Sequence, residues 1–243
     1  MLNAQSDLVG GARRGVRYSD GMDDAHRATA EELRARLACT SVPPADFRAA
    51  VARVPPNDRD AWVDVLLGLS ACPDDGPELP RGCVPYLPCS VDALLRLVDQ
   101  ACVRPSDVFV DVGSGVGRAA ALVSLLTGAP AIGLEIQPAL VSASRELTTR
   151  VHALPFAPIE GDAAQLAGLI TTGSIFFFYC PFSGERLEKV LDDLEPIAQT
   201  RPLRICSVDL PLPRRAWLTR MSPPSSDLAI YRSTHFDASS CHT

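Results

Sequence analysis

The stretch Val108-Phe-Val-Asp-Val-Gly-Ser-Gly-Val-Gly-Arg118 constrains the chain more than any other. Residues 108–112 are apolar except for Asp111, which reads as a strand of a parallel sheet buried on both faces. Glycines follow at 113, 115 and 117, with Ser114 inside the turn, and 118–126 is a good helix-forming run. Strand, glycine turn and helix form the opening unit of a nucleotide-binding α/β fold. Glycine suits the turn because the backbone must bend sharply and approach a ligand closely.

The spacing separates this turn from a dinucleotide fingerprint. G-x-G-x-x-G presents a helix N-terminus to a pyrophosphate. Here the order is D-x-G-x-G-x-G, and Asp111 would repel a phosphate. A carboxylate there suits a ligand bearing a cation or hydrogen-bond donors. S-adenosyl-L-methionine carries both an ammonium and a sulfonium. An NAD-dependent dehydrogenase is disfavoured on the same ground.

Further acids fall where such a ligand needs them. Residues 131–136 read as a second strand ending in Glu135, about 20 residues beyond the glycines, where a carboxylate accepts from a ribose diol. Residues 157–162 read as a third strand whose exit, Asp162, could accept from an adenine amino group or cap the helix that follows. A fourth strand, 174–180, runs into Pro181-Phe182-Ser183-Gly184. The carboxyl end of that strand faces the ligand crevice, so Tyr179, Cys180, Pro181 and Phe182 lie nearest a transferred group. An aromatic wall there attracts a sulfonium or an ammonium. A fifth strand (203–208) and a closing pair (215–221 and 228–233) complete the pattern.

Upstream, residues 1–18 lack periodicity and read as a tail. Helical patterns at 23–37, 44–54 and 58–69 are separated by Pro43-Pro44 and Pro55-Pro56. They would cover a substrate site or cap the sheet. A proline-rich loop, 72–88, then precedes a helix capped by Ser90, and Tyr86 is its aromatic candidate for a ligand contact. The expected organisation is a tail at 1–18, a helical extension at 19–83, a cofactor-binding domain at 84–236 and a tail at 237–243.

Composition narrows the partners. The net charge is −6, against a general nucleic-acid binder, whose footprint is basic. The 8 cysteines form no C-x-x-C pair and the 4 histidines show no metal spacing, so reduced thiols, a cytoplasmic location and no metal site are expected. No signal-peptide core opens the sequence, and no apolar run is long enough to span a bilayer.

Asp111-Val-Gly-Ser-Gly-Val-Gly117, Gly133-Leu-Glu135, Glu160-Gly-Asp162 and the loop from Tyr179 to Phe182, in this order and spacing, resemble the class I, seven-strand S-adenosylmethionine-dependent methyltransferases. The wording is similar to the non-SET histone-lysine methyltransferases of the disruptor-of-telomeric-silencing type, and Tyr86 loosely matches their upstream tyrosine loop. The resemblance, over about 84 to 235, implies a doubly wound, mostly parallel, Rossmann-like α/β sheet of seven strands with a helical N-terminal extension. It implies S-adenosyl-L-methionine held by Tyr86, Asp111, Gly113, Ser114, Gly115, Gly117, Glu135 and Asp162, with Tyr179 and Phe182 at the methyl acceptor. It also implies N-methylation of a lysine-type protein side chain. A small-molecule acceptor and a non-catalytic cofactor-binding module are the alternatives. Three features depart from the family: its asparagine-rich loop is here Tyr179-Cys180-Pro181-Phe182, its basic nucleosome-binding segment is missing, and the helical part at about 19–70 has no match in it.

Overall fold

The computed structural model describes residues 22–69, 73–76 and 79–234; the expected tails, Cys72 and His235 lie outside them. Three helices come first, α1 (Asp24–Cys39), α2 (Pro44–Ala52) and α3 (Pro56–Leu67). Proline opens α2 and α3 at the first helical position, where its missing N–H costs nothing. Gly68, at φ 70°, ends α3 in the left-handed conformation. After the loop comes α4 (Val91–Gln100), capped by Ser90, whose hydroxyl accepts the Ala93 N–H at 3.3 Å.

The alternating remainder is β1 (Phe109–Val112), α5 (Arg118–Thr127), β2 (Ala131–Glu135), α6 (Pro138–Arg150), β3 (Phe156–Glu160), α7 (Ala163–Leu166), β4 (Ile175–Tyr179), α8 (Glu185–Thr200), β5 (Arg204–Val208), β6 (Leu218–Arg220) and β7 (Leu228–Ser233). The sheet has 7 strands in the order β3-β2-β1-β4-β5-β7-β6. The first five in chain order are parallel, and β7 runs antiparallel between β5 and β6. The expected doubly wound sheet is therefore present, with strand ends within a few residues of those read from the sequence.

Side chains alternate across this sheet and define its two cores. Phe109, Ile175 and Phe177 join the core built with α1 to α5, while Val110, Val112, Phe176 and Phe178 join that of α7 and α8. Phe109 and Phe177 stack with centroids 5.8 Å apart. The run of aromatics in β4 thus packs both faces, as a central parallel strand requires. Helix α5 is buried on every side because the sheet lies on one flank and α2 and α4 on the other.

The helical extension caps one layer of the fold. Arg48 donates from Nε to the Leu126 carbonyl at 2.8 Å, and Arg59 pairs with Asp92 at 2.6 Å. No residue of 22–69 lines the cavity described next. Among the described residues, α2 packs against α5 and α3 against α4.

Candidate active site

The chain winds away from β1 in both directions, toward β2 and toward β4, which opens a crevice beyond their carboxyl ends. A cavity of about 260 Å³ lies there. Every parallel strand delivers residues to it: Asp111, Gly113 and Ser114 from β1, Glu135 to Gln137 from β2, Asp162 after β3, Tyr179 to Phe182 from β4 and Asp209 after β5. The proline-rich loop crosses it with Cys83 to Leu87.

That loop is pinned to the end of β4. Cys83 and Phe182 form an antiparallel bridge, and the Ser183 N–H donates to the Gly82 carbonyl at 3.1 Å. Phe182 is only 4% exposed and also belongs to the core beneath α8, so it serves the wall and the core together. Tyr179 is half-buried against the opposite core.

The glycine turn is shaped for neighbouring side chains. Gly113, Gly115 and Gly117 have φ of 79°, 55° and 81°, a region costly for other residues. A Cβ on Gly113 would meet the Pro181 ring, one on Gly115 the Tyr86 ring and one on Gly117 Phe156 and Ser144. The sequence reading reserved this space for a ligand. In the structure the close approach is made by Pro181 and Tyr86, the residues that bound the cavity. Ser114 is buried among the cavity's lining residues, and its hydroxyl lies close to Gly133.

Three carboxylates predicted from the strand ends converge here. Asp111 is 3% exposed, and its Oδ2 has no hydrogen-bond partner among the described residues. Burial pushes its pKa up to about 7, although the Ala120 N–H opposes the shift. Glu135 Oε2 accepts the Gly115 N–H at 2.8 Å and Oε1 the Gln137 N–H at 2.8 Å. Burial also raises Glu135, against these two amides and that of Ile136. Asp162 plays the capping role foreseen for it: Oδ1 accepts the Ala164 N–H at 2.9 Å and an Arg186 N–H at 2.6 Å.

Three charged or amide residues of the lining, Arg118, Asp209 and Gln137, were not singled out beforehand. Arg118, 3% exposed, donates to Asp64 at 2.6 Å, to Asp60 at 2.8 Å and to the Cys89 carbonyl, joining α5 to α3 and to the end of the loop. Its signal lay in the pattern: an arginine opening an apolar helix needs acids, and Asp60 and Asp64 share one face of α3. Asp209 and Cys180 have φ of 53° and 45°, and the Cys180 thiol donates to the Asp209 carbonyl at 3.4 Å. Such strained turns at two adjacent strand ends cluster at working sites. Burial raises the Cys180 thiol, which keeps it protonated and a poor nucleophile. No single-residue signal marked Asp209 in the sequence. Gln137 likewise escaped notice.

The donor set fits S-adenosyl-L-methionine. The orphaned Asp111 oxygen matches a cationic donor, and each Glu135 oxygen keeps a lone pair for a ribose hydroxyl. Residues 86–153 match the family model described as histone methylation protein DOT1. An RNA methyltransferase of Salinibacter ruber, solved with S-adenosyl-L-homocysteine, is 25% identical over 60% of this chain and 92% of its own, with a TM-score of 0.46. The Escherichia coli protein yhhF, named as a candidate methyltransferase, is 18% identical over 65% of this chain and 92% of its own, with a TM-score of 0.51. No curated protein matches the sequence. The family match begins at Tyr86 and runs past α6, so it takes in the glycine turn and the Glu135 strand that build one end of the cavity. The sheet has the seven-strand order expected of an S-adenosyl-L-methionine-dependent methyltransferase, and over residues 86–153 the chain resembles the DOT1 type.

Proposed function

We propose that the protein methylates a nitrogen of a protein side chain, with a lysine-type amine as acceptor. The observation that carries this reading is the sign of charge around the cavity. Among the described residues, Asp111, Glu135 and Asp209 line it without an ion pair to a basic side chain, while Asp162 is paired with Arg186 and Arg118 with Asp60 and Asp64. A low-dielectric crevice lined by uncompensated carboxylates concentrates cations, which describes both the methionine end of the cofactor and an ammonium acceptor. The histone-methylation family match supports the same substrate class.

S-adenosyl-L-methionine supplies an electrophilic methyl group on a sulfonium. Asp111 would hold the ammonium of its methionine end, Glu135 the ribose and Asp162 the adenine, while Tyr86 and the glycine turn enclose them. Tyr179 and Phe182 would face the acceptor. An acceptor drawn in as an ammonium would first lose a proton to water; its lone pair would then form the new N–C bond as the sulfonium's C–S bond breaks to leave the neutral thioether, and the surplus proton would leave to water. The chain's work is then positioning and exclusion of water.

Calorimetry with S-adenosyl-L-methionine, S-adenosyl-L-homocysteine and NAD, followed by methyl transfer to lysine peptides, neutral peptides and small amines, tests the proposal. Binding of the first two ligands and transfer to lysine peptides supports it. Binding without transfer to any acceptor would make the chain a cofactor-binding module. Transfer confined to small amines would move the acceptor class, against the absence of any 22–69 residue from the cavity wall.

A further inference from the structure

Gln137 stands between the ribose-facing strand and the proline-rich loop, and it bonds to both. Its backbone N–H donates to Glu135 Oε1 at 2.8 Å. Its side-chain Nε2 donates to Asp75 Oδ1 at 2.8 Å, and its Oε1 accepts the Gly76 N–H at 2.7 Å. The same Asp75 oxygen accepts the Tyr86 N–H at 2.9 Å. Gln137 is 7% exposed, so its amide is largely withdrawn from water, where hydrogen bonds hold geometry best.

These bonds close a ring through the site. From Tyr86 it passes to Asp75, Gln137, Glu135 and the Gly115 N–H, and the Tyr86 ring lies over Gly115. The neutral amide suits its place: a carboxylate there would repel Asp75, and an aliphatic side chain would leave the Asp75 and Gly76 groups unpaired.

Resting on the methyltransferase reading, we propose that Gln137 is a positioning residue for cofactor binding, holding Tyr86 over the glycine turn through Asp75. It acts by fixing where the loop carrying Tyr86 lies. Its side chain is therefore separable from its backbone N–H, which serves Glu135 whatever residue stands at 137.

The test is calorimetric affinity of the full chain for S-adenosyl-L-homocysteine, with thermal midpoints measured alongside. Q137A and D75A should each weaken binding about tenfold, the loss of one or two partly buried hydrogen bonds, with midpoints close to the parent's. D75N, whose amide oxygen still accepts from Gln137 and Tyr86, should recover most of the loss seen in D75A. Y86A should weaken binding, and adding Q137A to it should cost nothing more. Parent-like affinity in Q137A overturns the proposal. So do additive losses in Q137A/Y86A, which would mean that Gln137 acts without Tyr86. A parent protein that binds no cofactor overturns the methyltransferase reading itself, and this inference with it.

Discussion

The Tyr86 ring occupies the volume that a Cβ on Gly115 would need, and Gly115 is held at φ 55°. One residue therefore meets two demands. G115A should carry about 1–2 kcal/mol of left-handed backbone strain and also push Tyr86 off the turn. Lower thermal stability and weaker cofactor binding are both expected. Truncating Tyr86 in the same protein (G115A/Y86A) should return part of the stability but none of the affinity. An unaltered melting curve for G115A would show that the ring does not sit there in solution.

Beyond the ribose contact proposed for it, Glu135 accepts the Gly115 and Gln137 N–H groups. E135A should weaken S-adenosyl-L-homocysteine binding about a hundredfold, as expected for losing two hydrogen bonds to a charged group. E135Q should do nearly as badly. Its amide presents one oxygen and one NH2, so one of the two backbone donors would face another donor. Calorimetry on both variants decides the point, and unchanged affinity in E135A removes Glu135 from the site.

If Asp111 holds the cofactor's ammonium as proposed, its pKa, raised to about 7 by burial, couples cofactor binding to pH. The folded value lies above the ordinary carboxylate value. Its contribution to stability is thus fully present below about pH 4 and lost as pH rises through 7. An ammonium ligand requires the ionised form. Affinity should rise as pH increases from 6 through 7, then level off or fall near pH 8, where an α-amino group loses its own proton. Proton release on binding, read from the buffer dependence of the binding heat, should accompany the rise. D111N should bind weakly and show no such rise; a parent affinity flat from pH 6 to 7.5 would contradict the assignment.

The parts of this site that could be read from sequence share a physical cause. A parallel strand ends where its apolar run ends, and the doubly wound order lays those ends along one edge. Asp111, Glu135 and Asp162 therefore follow from local patterns. Contacts between distant segments leave no such periodic trace. The Tyr86 ring on Gly115, the Cys83 bridge to Phe182 and the Arg118 pairs with Asp60 and Asp64 depend on how loop and helices fold back. An aromatic residue just after a strand also reads the same whether it faces a channel or a core, and Phe182 does both. Asp209 was missed because nothing around it forms a motif; only its strained φ and its place after β5 bring it to the cavity.

Arg118 holds three segments together, and its loss should be costly. R118A leaves Asp64 in a half-apolar setting without its cation. Breaking a buried pair in this way costs about 3–5 kcal/mol. Burial already raises the Asp64 carboxyl while Arg118 opposes it, so removing Arg118 raises it further. Protonation then relieves the penalty. The stability deficit of R118A should be smaller at pH 5 than at pH 7 in urea unfolding. An equal deficit at both values would show that Asp64 does not carry it.

Asp209 gives the acceptor end its own test. It follows β5 at a left-handed φ of 53°, with its N–H donated to the Asp227 carbonyl at 3.0 Å. It lines the cavity beside Tyr179 and Cys180. If the acceptor arrives as an ammonium, this carboxylate attracts it, while Asp111 and Glu135 serve the cofactor. D209N should then raise the KM for a lysine peptide about tenfold and leave S-adenosyl-L-homocysteine affinity unchanged, the size expected for one partly exposed charge-assisted hydrogen bond. Added salt should raise the parent's peptide KM more than that of D209N, because screening acts on the charge the variant lacks. Equal salt sensitivity in the two proteins would place the attraction elsewhere. A loss of cofactor affinity in D209N would move Asp209 from the acceptor end to the cofactor end of the cavity.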